Sequence, residues 1–530
     1  NLRYTYAGLR TAADQLASAL LRQGLAPGDR VGIWSHNNAE WVLMQIATAK
    51  AGLVLVNINP AYRTSELEYA LNKVDCKALV TMARFKTSDY LGMLRELAPE
   101  LARCAPGRLQ SARLPHLKSV VWIDSVGTGG NVNEGHDEPG MLRFSELFAQ
   151  GDADDARVAQ VQHTLKNTDP INIQFTSGTT GFPKGATLTH RNILNNGFFI
   201  GECMRLGPQD KLCIPVPLYH CFGMVLGNLA CFTHGSAIVY PGDGFDPLAV
   251  LNAVQSERCT GLHGVPTMFI AELDHPQFNA FDLSTLRTGI MAGSPCPIEV
   301  MKRVVRDMHL GEITIAYGMT ETSPVSCQSS TDTPLDKRVA TVGTVQPHLE
   351  VKIISPESGA TVPPGTPGEL CARGYSVMHG YWDDPQKTAE AIDAEQWMHT
   401  GDMATMDAEG YVNIVGRIKD MVIRGGENVY PREIEEFLYR HPQIQDVQVV
   451  GVPDAKYGEE LCAWIVPKPG QSLTEQAVRD FCKGQIAHYK IPRYIRFVDA
   501  FPMTVTGKIQ KFKIRDAMKA QLFLQDEKTA

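Results

Sequence analysis

The apolar positions of this chain switch repeatedly between a helical and an extended period. Leu9, Ala13, Leu16, Ala17, Leu20 and Leu21 recur at threes and fours, which predicts a helix over 4–24 closed by Gly24. Strands are then expected at 30–34, 53–57 and 78–81, with helices at 41–51 and 65–73 between them. A second alternating stretch spans 237–319, with strands at 237–240, 261–265, 288–292 and 312–316 and helices at 246–257, 267–274 and 297–308. Strand–helix alternation of this kind predicts parallel sheets covered by helices. Residues 171–175 and 186–190 read as two strands flanking a ten-residue loop, and 127–140 as a surface insertion.

The pattern changes near 340. Short β segments at 350–354, 369–372 and 411–415 alternate with Pro/Gly turns and predict a small β-rich subdomain. A boundary falls near 416–420. Beyond it, helices at 433–440 and 475–483 and strands at 447–451 and 461–467 predict a compact α+β module. The expected fold is therefore α/β. A large N-terminal domain (1–416) of parallel α/β sheets with a β-rich subdomain is followed by a small, mobile α+β C-terminal domain (417–530).

Composition narrows this little. At 530 residues the chain exceeds one core, and ~150 residues per domain suggests three or four subdomains. A net charge of −8 gives no reason to expect nucleic acid as a partner. From Arg417 onward there are 18 Lys and Arg against 15 Asp and Glu, so the small module is the relatively basic part. That suits a phosphate-bearing partner or an ordinary solvated surface. No integral membrane segment is expected, because Lys50 and Asn57 interrupt the best apolar run. Twelve cysteines are scattered without a Cys-x-x-Cys pair, so neither a zinc site nor a disulfide framework is indicated, and reduced, buried thiols are expected. The chain begins at Asn1 rather than methionine. A cytoplasmic location is expected, or an organelle matrix if a targeting segment precedes Asn1.

The pointed chemistry lies in a few loops. Thr176-Ser177-Gly178-Thr179-Thr180-Gly181-Phe182-Pro183-Lys184-Gly185 joins four hydroxyls, three glycines and a lysine in one strand-to-strand loop. Glycines let successive N–H groups converge on an anion, hydroxyls add donors, and an ammonium suits phosphate oxygens, so the loop reads as a polyphosphate cradle. It is not the P-loop of NTPases, because Pro183 and Gly185 flank the lysine and no helix follows. Ligands of open α/β sheets bind beyond strand carboxyl ends. Gly293-Ser294-Pro295 and Tyr317-Gly318-Met319-Thr320-Glu321 follow two such strands. Tyr317 offers a ring for a base, Thr320 a hydroxyl and Glu321 a carboxylate for Mg2+; a capped helix start explains Thr320 and Glu321 equally well. Asp402 could accept from a ribose diol or close a turn. Gly223 and Gly227, four apart, would open a groove for an apolar tail or allow close packing, and His220 could face that groove.

Together, 176–185, 317–321, Thr400-Gly401-Asp402, Gly416-Arg417-Ile418-Lys419-Asp420 and Thr506-Gly507-Lys508 resemble the adenylate-forming superfamily over essentially the whole chain. That group holds acyl-CoA synthetases, firefly-type luciferases and adenylation domains of peptide synthetases. The chain looks most like its medium- or long-chain fatty acyl-CoA synthetases. The resemblance implies a ligase using ATP, Mg2+ and CoA: a carboxylate and ATP give an acyl-adenylate and pyrophosphate, then CoA releases acyl-CoA and AMP. It implies that 176–184 hold the β- and γ-phosphates, and that Tyr317 and 293–295 flank the adenine. Thr320 would contact the α-phosphate, Glu321 Mg2+, Asp402 the ribose, and Arg417 the ribose or phosphate. Lys508 would supply charge for adenylation, Lys419 the hinge, and Gly426 the pantetheine tunnel. His220, with Gly223 and Gly227, would adjoin the acyl group. The implied partners are a small-molecule carboxylic acid, ATP and CoA, with a homodimer as an assembly it allows. Aryl or short-chain acid CoA ligases, a stand-alone adenylation enzyme loading a carrier protein, and a catalytically silent nucleotide-binding protein are the competing readings.

Overall fold

The alternation read from the sequence folds as two units in the computed structural model, which describes residues 2–124, 138–176, 183–425, 427–454, 456–504 and 507–522. One unit comprises Asn1–His263, Gly318–Ser326 and Arg373–Met398; the other comprises Gly264–Tyr317, Cys327–Ala372 and His399–Ala530. Most of the expected insertion at 127–140 lies outside the described residues.

The first unit is built on an eight-stranded sheet. Its order is Gly380–Tyr381, Lys184–Thr189, Pro170–Thr176, Val54–Asn57, Arg30–Trp34, Ala78–Thr81, Ser119–Trp122 and Leu142–Arg143. The interior pairs are parallel, as strand–helix alternation requires, while Pro170–Thr176 and Lys184–Thr189 form an antiparallel hairpin. Ala13, Leu16, Ala17 and Leu20 of the first helix, Tyr6–Arg22, are fully or almost fully buried, and Thr5 caps it by accepting from the Gly8 N–H. On the sheet, Trp34 stacks on Tyr90 with ring centroids 4.0 Å apart. Lys211–Cys213 pairs in parallel with Ala237–Val239 and with Gly261–Gly264.

In the second unit, Thr288–Ala292 and Glu312–Gly318 are parallel neighbours. The expected β-rich part is a four-stranded sheet ordered Leu349–Ile354, Gly368–Gly374, Met398–Met406, Val412–Arg417. The C-terminal α+β module is a five-stranded sheet centred on the long hairpin of Ile444–Asp454 and Gly458–Pro467. Alternate residues of that hairpin face two cores. Val447, Val449, Leu461 and Ile465 pack with Ile434 and Leu438, while Val450, Val452 and Cys462 pack with Ile514 and Met518 of the helix Lys511–Leu522.

The twelve cysteines are free thiols, all buried except the half-buried Cys104 and Cys203. No helix among the described residues is long and apolar enough to cross a membrane.

One buried carboxyl works against the fold. Glu272, in the helix Pro266–Leu273, is fully buried, and neither carboxylate oxygen has a hydrogen-bond partner among the described residues. Burial pushes its carboxyl well above the ordinary carboxylate range. A raised folded pKa means that stability is complete below about pH 4.5 and is lost as pH rises through the folded value. Glu272→Gln should therefore match the wild type near pH 4.5 and exceed it by about 1–3 kcal/mol at pH 7–8. Denaturant melts across that pH range check this; a constant difference would contradict it.

Candidate active site

The phosphate-cradle loop leaves and re-enters one hairpin. Thr176 and Lys184 are cross-strand partners, so the loop's two ends are fixed opposite each other. Ser177, Gly178, Thr179, Thr180, Gly181 and Phe182 lie outside the described residues. Pro183 is half-buried, and its carbonyl accepts from the Tyr69 hydroxyl. Glu321 sits in a short 3-10 turn, Thr320–Thr322, and is 5% exposed. Its Oε1 accepts from Thr176 Oγ1 at 3.1 Å and from the Tyr381 hydroxyl at 2.8 Å. The Lys184 ammonium in turn donates to the Tyr381 oxygen at 2.9 Å. Thr320 opens the turn and is half-buried. Gly318, just before it, has no room for a side chain, because a Cβ there would lie 1.7 Å from the Pro324 carbonyl oxygen. Hard oxygen donors around a buried carboxylate, with an ammonium beside them, form a set that fits Mg2+ and phosphate.

His220 precedes a π-helix, Phe222–Leu229, which carries Gly223 and Gly227. Its Nδ1 accepts from the Phe222 N–H at 3.2 Å, which leaves the neutral ring's proton on Nε2. The wide turns leave carbonyls to side chains: Gln45 Nε2 donates to Met224 O and His263 Nε2 to Leu226 O. Burial pushes the His263 ring down to about 4, so it serves as a neutral donor. A Cβ at Gly223 would meet the Pro217 carbonyl oxygen at 2.5 Å, and one at Gly227 would meet Ile214 Cδ1 at 2.7 Å. Both glycines thus mark close approach of the π-helix to the preceding segment. A buried amide ladder ties that segment to the hairpin. Cys221 Sγ donates to Gln174 Oε1, Gln174 to Asn172, Asn172 to Asn57, and Asn57 to the Tyr219 carbonyl.

In the second unit, Ala292 and Ala316 are register partners, so Gly293 and Tyr317 leave two parallel strands side by side. Gly293 turns the chain with φ +90°, and Ser294 is half-buried while Pro295 is exposed. The Tyr317 hydroxyl donates to Asp402 Oδ2 at 2.6 Å. Arg417, the cross-strand partner of Asp402, brings Nε to 3.4 Å from Oδ1. Burial raises the Asp402 carboxyl, with Arg417 and the Tyr317 hydroxyl opposing the shift. Gly401 supplies the left-handed turn before it, with φ +70°.

Lys508 is half-buried on a turn whose Gly507 has φ +77°. Its N–H donates to Thr504 Oγ1, and a Cβ on Gly507 would lie 2.9 Å from Val265 Cγ2. The lysine's turn therefore lies against the start of the helix Pro266–Leu273. Lys419 is exposed in the 3-10 turn Ile418–Asp420. Gly426 and Thr506 lie outside the described residues.

A family model described as AMP-binding enzyme matches residues 1–382, and one described as AMP-binding enzyme C-terminal domain matches 433–508. The chain belongs to this family. Among its relatives, the putative acyl-CoA synthetase YngI of Bacillus subtilis is 51% identical over 518 residues, 97% of this chain and 92% of that protein. The mitochondrial medium-chain acyl-CoA ligase ACSF2 of Bos taurus is 47% identical over 530 residues, 99% of this chain and 84% of that protein. Among solved structures, the anthranilate CoA ligase AuaEII in complex with anthranoyl-AMP has a TM-score of 0.83 at 27% identity, covering 98% of this chain and 93% of that one. ATP-bound MatB from Rhodopseudomonas palustris has a TM-score of 0.80 at 29% identity, covering 97% and 93%.

Tyr381 is the residue of this AMP-binding enzyme that sequence reasoning missed. It stands between Gly380 and Trp382 on a two-residue edge strand, and nothing local marks it. Only the sheet brings its hydroxyl between Lys184 and Glu321. The alternation Asn172–Gln174 on one strand face was a legible sign of the amide ladder, because polar residues on a buried strand need partners. Tyr381→Phe should cost about 1–3 kcal/mol, since it removes a donor from a buried carboxylate and an acceptor from an ammonium. A lowered thermal midpoint with unchanged circular dichroism is the expected result; an unchanged midpoint would mean that the relay carries no energy.

Proposed function

We propose that this AMP-binding enzyme is an ATP-dependent acid–thiol ligase. It converts a fatty acid, in the first instance a medium-chain one, to acyl-CoA through an acyl-adenylate, releasing pyrophosphate and then AMP. The observation that carries this reading is identity of 47–51% with an acyl-CoA synthetase and a medium-chain acyl-CoA ligase over nearly the whole chain.

The two clusters each offer what one end of ATP needs. Thr176, Lys184 and the intervening loop donors are assigned to the β- and γ-phosphates, and Thr320 to the α-phosphate. Glu321 would hold Mg2+, which when bound neutralises phosphate charge. Tyr317 and Gly293 to Pro295 are assigned to the adenine, and Asp402 and Arg417 to the ribose. Asp402 would exchange its Tyr317 hydroxyl donor for a ribose hydroxyl. His220, donating from Nε2, would orient the acyl carboxylate, with Gly223 and Gly227 in the wall beside it. The carboxylate is itself the nucleophile at the α-phosphorus, so the first step needs no general base. What it needs is positive charge against the repulsion of two anions, and this is assigned to Lys508. Gly426 would line the path of the pantetheine, and the segment 417–530 would turn about Lys419 between the half-reactions.

Lys508→Ala should slow pyrophosphate release by about 10²–10³ while sparing thioester formation from supplied acyl-adenylate. Equal loss of both half-reactions would contradict the assignment. Lys419→Pro fixes φ at the hinge and should do the reverse, slowing the CoA step selectively.

A second reading, an aryl-acid CoA ligase, is favoured by the likeness to the anthranilate CoA ligase. An acid panel from hexanoate to palmitate against benzoate-type acids, with and without CoA, tests both. CoA-dependent AMP release greatest on medium-chain acids is expected. Preference for aromatic acids would move the assignment to the second reading, and CoA-independent turnover would overturn both.

A further inference from the structure

Glu369 and Cys371 are two apart on the strand Gly368–Gly374, so they project from one face, and His399 lies on the neighbouring strand Met398–Met406. Their donor atoms converge. His399 Nδ1 is 3.1 Å from Glu369 Oε2 and 3.6 Å from Cys371 Sγ, and all three atoms lie within 4.8 Å of one another.

This is not the arrangement of a thiol nucleophile. A thiol–imidazole–carboxylate relay needs the thiol on one ring nitrogen and the carboxylate on the other. Here both approach the same nitrogen, and one ring proton cannot serve both. A cation at their centre satisfies all three. Zinc bound at ~2.0–2.2 Å to nitrogen and oxygen and ~2.3 Å to sulfur has ligand–ligand edges of about 3.3–3.8 Å, close to the two contacts above. The outer shell is present as well, because Glu369 Oε1 accepts from the Gly401 N–H at 3.0 Å and is thereby oriented. Access is open through the His399 side chain, which is 32% exposed, while Cys371 is buried.

We propose that Glu369 Oε2, Cys371 Sγ and His399 Nδ1 form a three-ligand site for a thiophilic divalent cation, zinc by the softness of its sulfur and nitrogen ligands, with water in the fourth position. On binding, the Cys371 thiol gives its proton to solvent and the ring proton moves from Nδ1, where it faces Glu369, to Nε2, so affinity rises with pH. The ion differs in kind from the Mg2+ assigned to Glu321, which prefers oxygen ligands alone. Clamping the two strands would also fix the turn at Thr400 and Gly401 that carries Asp402. Spacing rules for cysteine pairs miss such a site because it contains a single cysteine.

The test uses the full chain stripped with chelator and titrated with Co2+, then back-titrated with Zn2+. One Co2+ per chain is expected, with a sulfur-to-cobalt charge-transfer band that Zn2+ abolishes. Cys371→Ala should lose the band, and Glu369→Gln and His399→Gln should each weaken Zn2+ binding at least about tenfold. Absence of the band in the wild type, or its persistence in Cys371→Ala, would overturn the proposal, since another thiol would then be the ligand. If Cys371→Ala fails to fold by circular dichroism, Cys371→Ser decides. Loss of the charge-transfer band there supports the site, and its retention refutes it.

Discussion

A buried carboxylate has to be given donors, and in the first unit that requirement draws three distant stretches of chain to one point. Glu321 is held by hydroxyls from Thr176, at the end of a sheet strand, and from Tyr381, on the edge strand. The Met378 N–H donates to its backbone carbonyl. Tyr381 can reach only because Gly380–Tyr381 pairs with Lys184–Thr189, the strand that leaves the phosphate-cradle loop. The same strand supplies Lys184, whose ammonium bonds the Tyr381 oxygen. Remove the edge pairing and the carboxylate, the ammonium and the loop ends lose their common reference.

The amide ladder extends this constraint inward. Asn172 and Gln174 share one face of the hairpin strand and are buried, so each must spend its donors and acceptors inside the protein. They do so on Asn57 and Cys221, and Asn57 continues to the carbonyl of Tyr219, next to His220. A partly satisfied network would cost about 1–3 kcal/mol per orphaned group. That penalty makes the position of the His220 segment depend on the strand that also starts the cradle loop.

What could be read from the sequence follows from how local the cause is. The parallel sheets were legible because apolar period and turn residues are local signals, and the strands at 30–34, 78–81 and 288–292 stand where the pattern put them. The short strands Ser119–Trp122 and Leu142–Arg143 escaped, the latter because two residues carry no period at all. The π-helix escaped for a different reason. Its period differs little from that of an α-helix over eight residues, and the donors that satisfy its carbonyls, Gln45 and His263, come from elsewhere in the chain. Motifs singled out Glu321, Asp402 and Lys508 as candidates, whereas nothing local marked Tyr381 or the Glu369–Cys371–His399 cluster. Those groups acquire meaning only through strand pairing between distant segments.

The choice of tyrosine beside each carboxylate has an energetic logic. Among the described residues, Glu321 and Asp402 each take their shortest hydrogen bond from a phenol rather than from a lysine or arginine: 2.8 Å from Tyr381 and 2.6 Å from Tyr317. Breaking a buried ion pair by removing one partner costs about 3–5 kcal/mol, which a ligand would have to repay before it gained anything. Exchanging a hydroxyl donor for another donor costs far less, because the net worth of such a bond is about 0.5–1.5 kcal/mol, or 1.5–3 when the acceptor is charged. Tyr381 goes further by standing between Lys184 and Glu321, so that the ammonium and the carboxylate each keep a partner without being spent on one another. Both charges then keep a partner that costs little to exchange.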